Sequence, residues 1–410
     1  MNTFQNIFFV LLSLMSLYLS FRLVVFFAIE VYRKKNRNIS DIAPNNDSNK
    51  PVFFSAIIPA REESGVILNT IKSLQQVDYP TNKYEIIIVT DQKETSSKTR
   101  LVIENWLEND CKIFPMKKTS IETRYTDQNS ATITIYDVPE GFNGKVNGKI
   151  EKYSVPSTKA RALNYAFSKM KKHTNHYCSF FDAETHPHTK IFSYIDNYFS
   201  KHNQTPCWQG PALQVRNFWS ISFFSQIASL SQAFSHEFTL PTLLNWIPFL
   251  GGTNMHIPFH LLIELEGFQY NCVTEDLELG VRIWDKTNEF PKYLPLPCTE
   301  QTPCSFKEYY FQRLRWGKEN IQVLLQSRKY FLHTHKQVHW LFFKIFFLGP
   351  FEWFFYAVIS IVVAITSVNS WLNILNQLAP FYSFFILTSI VLLIMHYLWY
   401  SKYMNKGKNK

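Results

Sequence analysis

The sequence carries no G-x-G-x-x-G after its first strand-like segment and no G-x-x-x-x-G-K-[ST] anywhere. Dinucleotide and P-loop readings are therefore weak, and phosphate charge would have to be met by a metal and basic side chains. Six cysteines, at 111, 178, 207, 272, 298 and 304, form no C-x-x-C pair and have no histidine partner at zinc spacing. Reduced, mostly packed thiols are expected. Met1 to Asn6 has no positive charge ahead of the first apolar run, which argues against a cleavable signal peptide. No arginine–aromatic platform or helix-turn-helix pattern is present. The net charge of +10 thus reads as a match for anionic lipid or an anionic substrate, with no nucleic acid partner.

What is abundant is aromatic and apolar: 37 Phe, 21 Tyr and 10 Trp in 410 residues, unevenly spread. Phe4 to Phe21 is uncharged, about the minimum length of a bilayer helix, and Arg33, Lys34, Lys35 and Arg37 follow it. A positive flank on that side predicts a signal anchor with the N-terminus outside and the chain after it in the cytoplasm. Phe351 to Thr366 and Leu378 to Tyr400 are two further candidate spans, closed by Lys402, Lys406, Lys408 and Lys410. Val338 to Leu348 reads as an interfacial helix, or else as a buried helix of the soluble part. The expected organisation is residues 1–37 anchor and basic flank, 38–50 linker, 51–330 catalytic-size domain, 331–350 interfacial helix, and 351–410 two spans and a basic tail, so a multi-pass integral membrane protein.

Within 51–330 the pattern is α/β. Val52 to Pro59 is a buried strand, Gly65 to Gln76 a helix with Ile67, Ile71 and Leu74 on one face, and Tyr84 to Thr90 a second strand ending in Asp91. Strand, helix, strand at that length predicts a parallel sheet, whose ligands bind beyond the strands' carboxyl ends. Ala60, Glu63 and Asp91 lie there. So do Asp182 and Glu184, where the apolar run from Tyr177 empties into Asp182-Ala183-Glu184. Two carboxylates at that spacing suit a hard cation with sites left for phosphate oxygens; the plain alternative is a solvated acidic turn. Residues 112–157 carry weaker signals: a strand at Ala131 to Tyr136 and a hairpin near Asn143-Gly144 and Asn147-Gly148, read together as an insertion. Lys159 and Arg161 open a helix against the dipole preference, which suggests an anion there, a diphosphate, unless they are a solvated basic start.

Further on, Phe218 to Leu240 is amphipathic, and Gly251-Gly252-Thr253 is a turn where backbone can approach a ligand. Thr274 is expected to cap a helix bearing Glu275 and Asp276 in its first turn, where acids are electrostatically favoured; functionally, Asp276 is a candidate general base. Gln312, Arg315 and Trp316 form a Gln-x-x-Arg-Trp set on a helix near the membrane. Arg315 is suited to phosphate and Trp316 to a sugar face, unless the helix is merely amphipathic.

In this order the motifs resemble the membrane-embedded family 2 glycosyltransferases with a GT-A fold, the superfamily of bacterial cellulose, hyaluronan, chitin and poly-N-acetylglucosamine synthases. The closest stretches are those of a subgroup with Asp-Ala-Glu-Asp loops, from which Thr185 departs, as Gln92-Lys93 departs from the usual residues after Asp91. The resemblance implies a Rossmann-like, mostly parallel GT-A domain in the cytoplasm with transmembrane helices at both ends. It implies Mg2+ or Mn2+ on Asp182 and Glu184, and a UDP-sugar donor against Ala60, Glu63, Asp91, Lys159, Arg161, Asp182 and Arg315. Gly252, Thr253, Glu275, Gln312 and Trp316 would meet the acceptor, with Asp276 the base of an inverting transfer. The implied product is an elongating β-linked polysaccharide. The alternative is one sugar added to a membrane lipid, as by ceramide glucosyltransferases. Three spans are few for a polymer channel in one chain, which favours either the lipid acceptor or a homo-oligomer. A non-catalytic scaffold of the same fold is the reading from another class.

Overall fold

The computed structural model describes residues 51–95, 98–127, 130–232, 245–247, 249–270, 272 and 274–331, with scattered positions between 10 and 28 and between 387 and 404. In chain order the strands are β1 Phe53–Pro59, β2 Tyr84–Asp91, β3 Pro115–Lys118, β4 Glu122–Asp127, β5 Ser130–Val138, β6 His176–Phe180, β7 Trp208–Gln209, β8 Ala212–Gln214, β9 Met255–Pro258, β10 Lys292–Tyr293 and β11 Cys298–Glu300. The helices that matter below are α1 Ile67–Gln75, α2 Lys98–Asn105, α3 Lys159–Lys169, α4 Ile191–His202, α5 Phe223–Gln232, α6 Phe259–Glu264, α7 Glu275–Thr287 and α8 Phe306–Ser327.

The main sheet runs β10-β7-β9-β6-β1-β2-β5-β4-β3. β6, β1, β2 and β5 are mutually parallel, while β9 and β4 run against their neighbours. The direction is therefore mostly parallel, as expected. Alternate residues of the central strands feed two cores. Phe54, Ile58, Ile86 and Ile88 face α1, α2 and α4, whereas Ile57, Ile87 and Val89 face α3, α6 and α7. Burial on both faces is why these strands read as continuous apolar runs with no polar alternation.

Residues 112–157 prove to be more than an insertion. They supply β3, β4 and β5, the sheet's whole edge beyond β2. The Asn143 to Lys149 turn is closed by a bridge between Phe142 and Ile150, matching the expected hairpin. The amphipathic stretch after Phe218 is helical over Phe223–Gln232, and its remainder to Leu240 lies outside the described residues. Thr274 occupies the N-cap position of α7, but its side chain makes no capping bond; Asp276 Oδ1 instead accepts from the Leu277 amide at 2.8 Å.

The proposed spans and the interfacial helix at Val338 to Leu348 fall largely or wholly outside the described residues. Among the described residues no helix is long and apolar enough to cross a membrane.

Candidate active site

The acidic residues separated along the chain gather at the carboxyl end of the parallel strands, and the first turn of α3 ties them together. Thr158 caps that helix, its hydroxyl accepting from the Arg161 amide at 3.2 Å. This cap points Lys159 and Arg161 in different directions. Lys159 Nζ donates to Asp182 Oδ1, just past β6, and at 3.0 Å to the Gly252 carbonyl, in the turn before β9. Burial alone would lower the Lys159 ammonium, but Asp182, Glu275 and Asp276 around it outweigh that and hold it up. One cation thus sits among three carboxylates drawn from two elements.

Arg161 is only 1 % exposed. Its Nη1 donates to Asp91 Oδ2 at 2.8 Å, Nε to the Phe142 carbonyl at 2.8 Å, and Nη2 to the carbonyls of Pro139 and Glu140. Ser157 donates to the same Asp91 oxygen. The guanidinium's fork is filled by protein, so it stands behind Asp91 and is not offered to a diphosphate. The charge that looked unfavourable at this helix start is met by carboxylates, not by an anion awaiting binding.

Ala60 is buried, its amide donating to the Val89 carbonyl at 2.8 Å. The loop after it is pinned to the loop after β2 and to the start of α2: the Glu62 amide donates to Glu94 at 2.8 Å and the Glu63 amide to Thr99 at 2.9 Å. Burial, then Asp182 and Glu94, raise the Glu63 carboxyl. Glu184 is pushed up to about 7 by burial and by Asp182 and Glu63, although Arg216 opposes this. Asp276 and its buried neighbour Glu275 are both raised, chiefly by burial, with Lys159 pulling the other way.

Gly252 has φ +75°, and a Cβ built there would lie 2.7 Å from Asp276 Oδ2 and 3.3 Å from Lys159 Nζ. The main chain passes so close to the candidate base that only glycine fits. Thr253 is buried and accepts from the Asp182 amide at 3.3 Å. Gln209, at the end of β7, holds the turn, accepting from the Gly251 amide at 2.9 Å and donating to the Thr253 carbonyl at 2.9 Å.

The Gln-x-x-Arg-Trp set lies on α8. Arg315 is exposed, Gln312 is half-buried with Oε1 out of water, and one face of Trp316 is covered by Arg313, whose guanidinium lies 4.2 Å from the ring centre. These three are not drawn into the Lys159 cluster by any contact among the described residues.

The residue missed in the sequence is Glu300. It ends the three-residue β11, is 7 % exposed, accepts from Thr185 Oγ1 at 2.7 Å, and adds another carboxyl beside Asp182 and Glu184. Burial, then Asp182, raises it to about 8. A strand this short has no periodicity to read, so nothing in the sequence marked it.

Four carboxyls around one loop, on strands of this order, narrow the chemistry. A family model described as "Glycosyl transferase family group 2" matches residues 179–401. The chain belongs to that family. "Probable glycosyltransferase YdaM" of Bacillus subtilis (strain 168) is 24% identical over 325 residues, 74% of this chain. The chain spans 64% of that relative's own length. The mannosyltransferase PcManGT of Pyrobaculum calidifontis superposes with a TM-score of 0.52 over 95% of this chain and 99% of its own, at 16% identity. At that identity the likeness establishes the GT-A-like fold.

Proposed function

We propose that this family 2 glycosyltransferase moves a sugar from a UDP-sugar to a hydroxyl acceptor at a membrane, with inversion and with a divalent cation, elongating a β-linked glycan. The observation that carries the reading is Lys159, which joins Asp182 to the Gly252 turn directly beside Asp276. A diphosphate held at Asp182 and an alcohol held at Asp276 would be adjacent.

Asp276 takes the proton of the acceptor hydroxyl as that oxygen bonds to the anomeric carbon. The bond from that carbon to the diphosphate oxygen breaks, and its electron pair leaves with UDP. Lys159 offers positive charge on the side where the leaving group becomes more anionic. A single displacement on an α-linked donor yields a β-linked product.

The residues present fit a divalent cation. Asp182 and Glu184 present hard oxygens, and Glu63, Glu184 and Glu300, raised first by burial and then by the charge of Asp182 and of neighbouring glutamates, crowd acidic groups around them. Among the described residues no three acidic, histidine or cysteine side chains form a complete cage, as suits an ion such as Mg2+ that fills its remaining positions with water and donor phosphate. When bound, Mg2+ or Mn2+ supplies charge opposite the diphosphate. The mannosyltransferase of like fold was solved with GDP-Man and Mn2+.

Membrane action is supported by apolar side chains presented outward on helical residues near both ends, among them Leu14, Leu17, Phe21, Leu387 and Ile394. The domain boundaries and the cytoplasmic placement of residues 51–330 are part of the same proposal. The lipid acceptor is the second reading, favoured by the exposed Trp219, Phe223, Phe224, Phe306, Tyr310 and Phe311 beside α5 and on α8.

The test is incubation of the purified full chain with a panel of UDP-sugars and GDP-mannose, with Mg2+ or Mn2+, scored for nucleotide release and product partitioning. UDP release with a high-molecular-weight, glycanase-sensitive product is expected. Label moving into organic solvent would replace the polymer with a lipid, and release from GDP-mannose alone would overturn the donor.

A further inference from the structure

The Asp182 amide begins a hydrogen-bond network that closes on a buried carboxyl. An N–H can only donate, so Thr253 Oγ1 accepts from it at 3.3 Å. Thr185 gives its single proton to Glu300 Oε1 at 2.7 Å. The two hydroxyls lie 2.9 Å apart, and Thr253 is itself hydrogen-bonded to the Glu300 carboxyl, so both threonines converge on that group. Glu300 is the buried carboxyl on which this network closes, and among the described residues it makes no ion pair of its own.

The same stretch holds the acidic loop from the other side. The His186 amide donates to the Thr299 carbonyl at 2.9 Å, and the Thr299 amide to the His186 carbonyl at 3.0 Å. The Glu300 carbonyl accepts from the Arg216 amide at 2.9 Å, and Arg216 Nη1 donates to the Glu184 carbonyl at 3.1 Å. β11 pairs with β8 in a separate two-stranded sheet. The loop bearing Asp182 and Glu184 is therefore seated on this small sheet as well as on the end of β6.

We infer that Glu300 is a positioning residue for glycosyl transfer: as the carboxyl on which the Asp182–Thr253–Thr185 relay closes, shared by Thr185 and Thr253, it fixes the Asp182 loop against the Gly252–Thr253 turn and so sets the donor side of the cleft against the acceptor side. This rests on the donor role proposed above for Asp182. Because Asp182 would grip the donor in ground and transition states alike, loosening it should raise KM more than it lowers kcat.

The experiment compares Glu300→Ala, Glu300→Gln and Thr185→Val in the full chain. Glutamine keeps a carbonyl acceptor, alanine removes it, and valine removes the hydroxyl by which the Asp182 loop itself reaches Glu300, which keeps the test alive if Glu300→Ala does not fold. Glu300→Ala and Thr185→Val should raise the UDP-sugar KM at least tenfold with kcat within threefold of the parent, while Glu300→Gln stays within threefold on both. Deuterium uptake of peptides covering residues 181–186 and 250–254 should rise in the first two variants, with β1 and β2 unchanged. That readout needs no donor, so it decides the relay even if the parent transfers no sugar. Parent-like uptake in both disruptive variants would overturn the inference, as would a Glu300→Gln variant as impaired as Glu300→Ala.

Discussion

Arg161 Nη1 and Asp91 Oδ2 meet at 2.8 Å with their side chains 1% and 4% exposed, and three further donor directions of the guanidinium, from Nε and Nη2, end on backbone carbonyls. A buried pair of this kind is costly to break from one side, because the partner's charge is left in a dry site. Arg161→Met is expected to lower the unfolding free energy by about 3–5 kcal/mol, read from urea denaturation. Arg161→Lys should recover only part of it, since a point charge with three donors cannot fill a planar fork.

Gly252→Ala addresses the turn alone. Its φ of +75° already strains an alanine, and the added carbon would press on Asp276 Oδ2 from 2.7 Å. The expected result is a folded protein whose sugar transfer falls by about a hundredfold, the penalty typical of displacing a reacting group by about 1 Å. Nucleotide release set beside a melting curve would separate the two effects.

Replacing the candidate base is the sharper chemical test. Asp276→Asn keeps the shape and removes the proton acceptor, so kcat should drop by about 10²–10⁴ while UDP binding, measured calorimetrically, is retained. Transfer at the parent rate would remove Asp276 from its role and return the scaffold reading.

Two buried histidines predict a pH dependence. Burial holds His176 and His256 down to about 3, and each is hydrogen-bonded as a neutral ring, to Ser55 and to Ser179, at 2.8 Å. Their folded values lie below the unfolded one, so the unfolded chain takes up the protons first. The stability they confer is complete above about pH 6.5 and declines as pH falls toward 3, by about 1.4 kcal/mol per pH unit for each ring. The raised carboxyls Glu184, Glu275 and Glu300 work with the opposite sign. Comparing the parent with His256→Gln cancels that background, and between pH 7 and 5.5 the variant should lose about 1 kcal/mol less than the parent in urea midpoints.

The parts of this arrangement that could be read beforehand are those with local patterns. β1 and β2 were legible as apolar runs ended by polar residues, α1 by its Ile67, Ile71 and Leu74 stripe, and the Asp182 loop by the abrupt change after Phe181. The antiparallel β9 was not, since Met255–Pro258 is only four residues, too short for its Met-His-Ile order to read as a strand period, and it ends in proline. Arg161 was misread because charge at a helix start is visible in sequence, whereas the Phe142, Pro139 and Glu140 carbonyls that receive it are supplied by a distant loop. Glu300 escaped for the same reason: its meaning comes from Thr185, 115 positions earlier.

Trp316 has its own consequence. With a guanidinium 4.2 Å from the centre of its ring, the indole is already occupied on one side by its own helix. A hexose that came to lie flat on that same face would evict Arg313, and a cation over a partly wetted ring is held by only about 0.5–1 kcal/mol. Visitor and resident are then close to interchangeable, so the indole would hold a saccharide loosely and release it with little resistance.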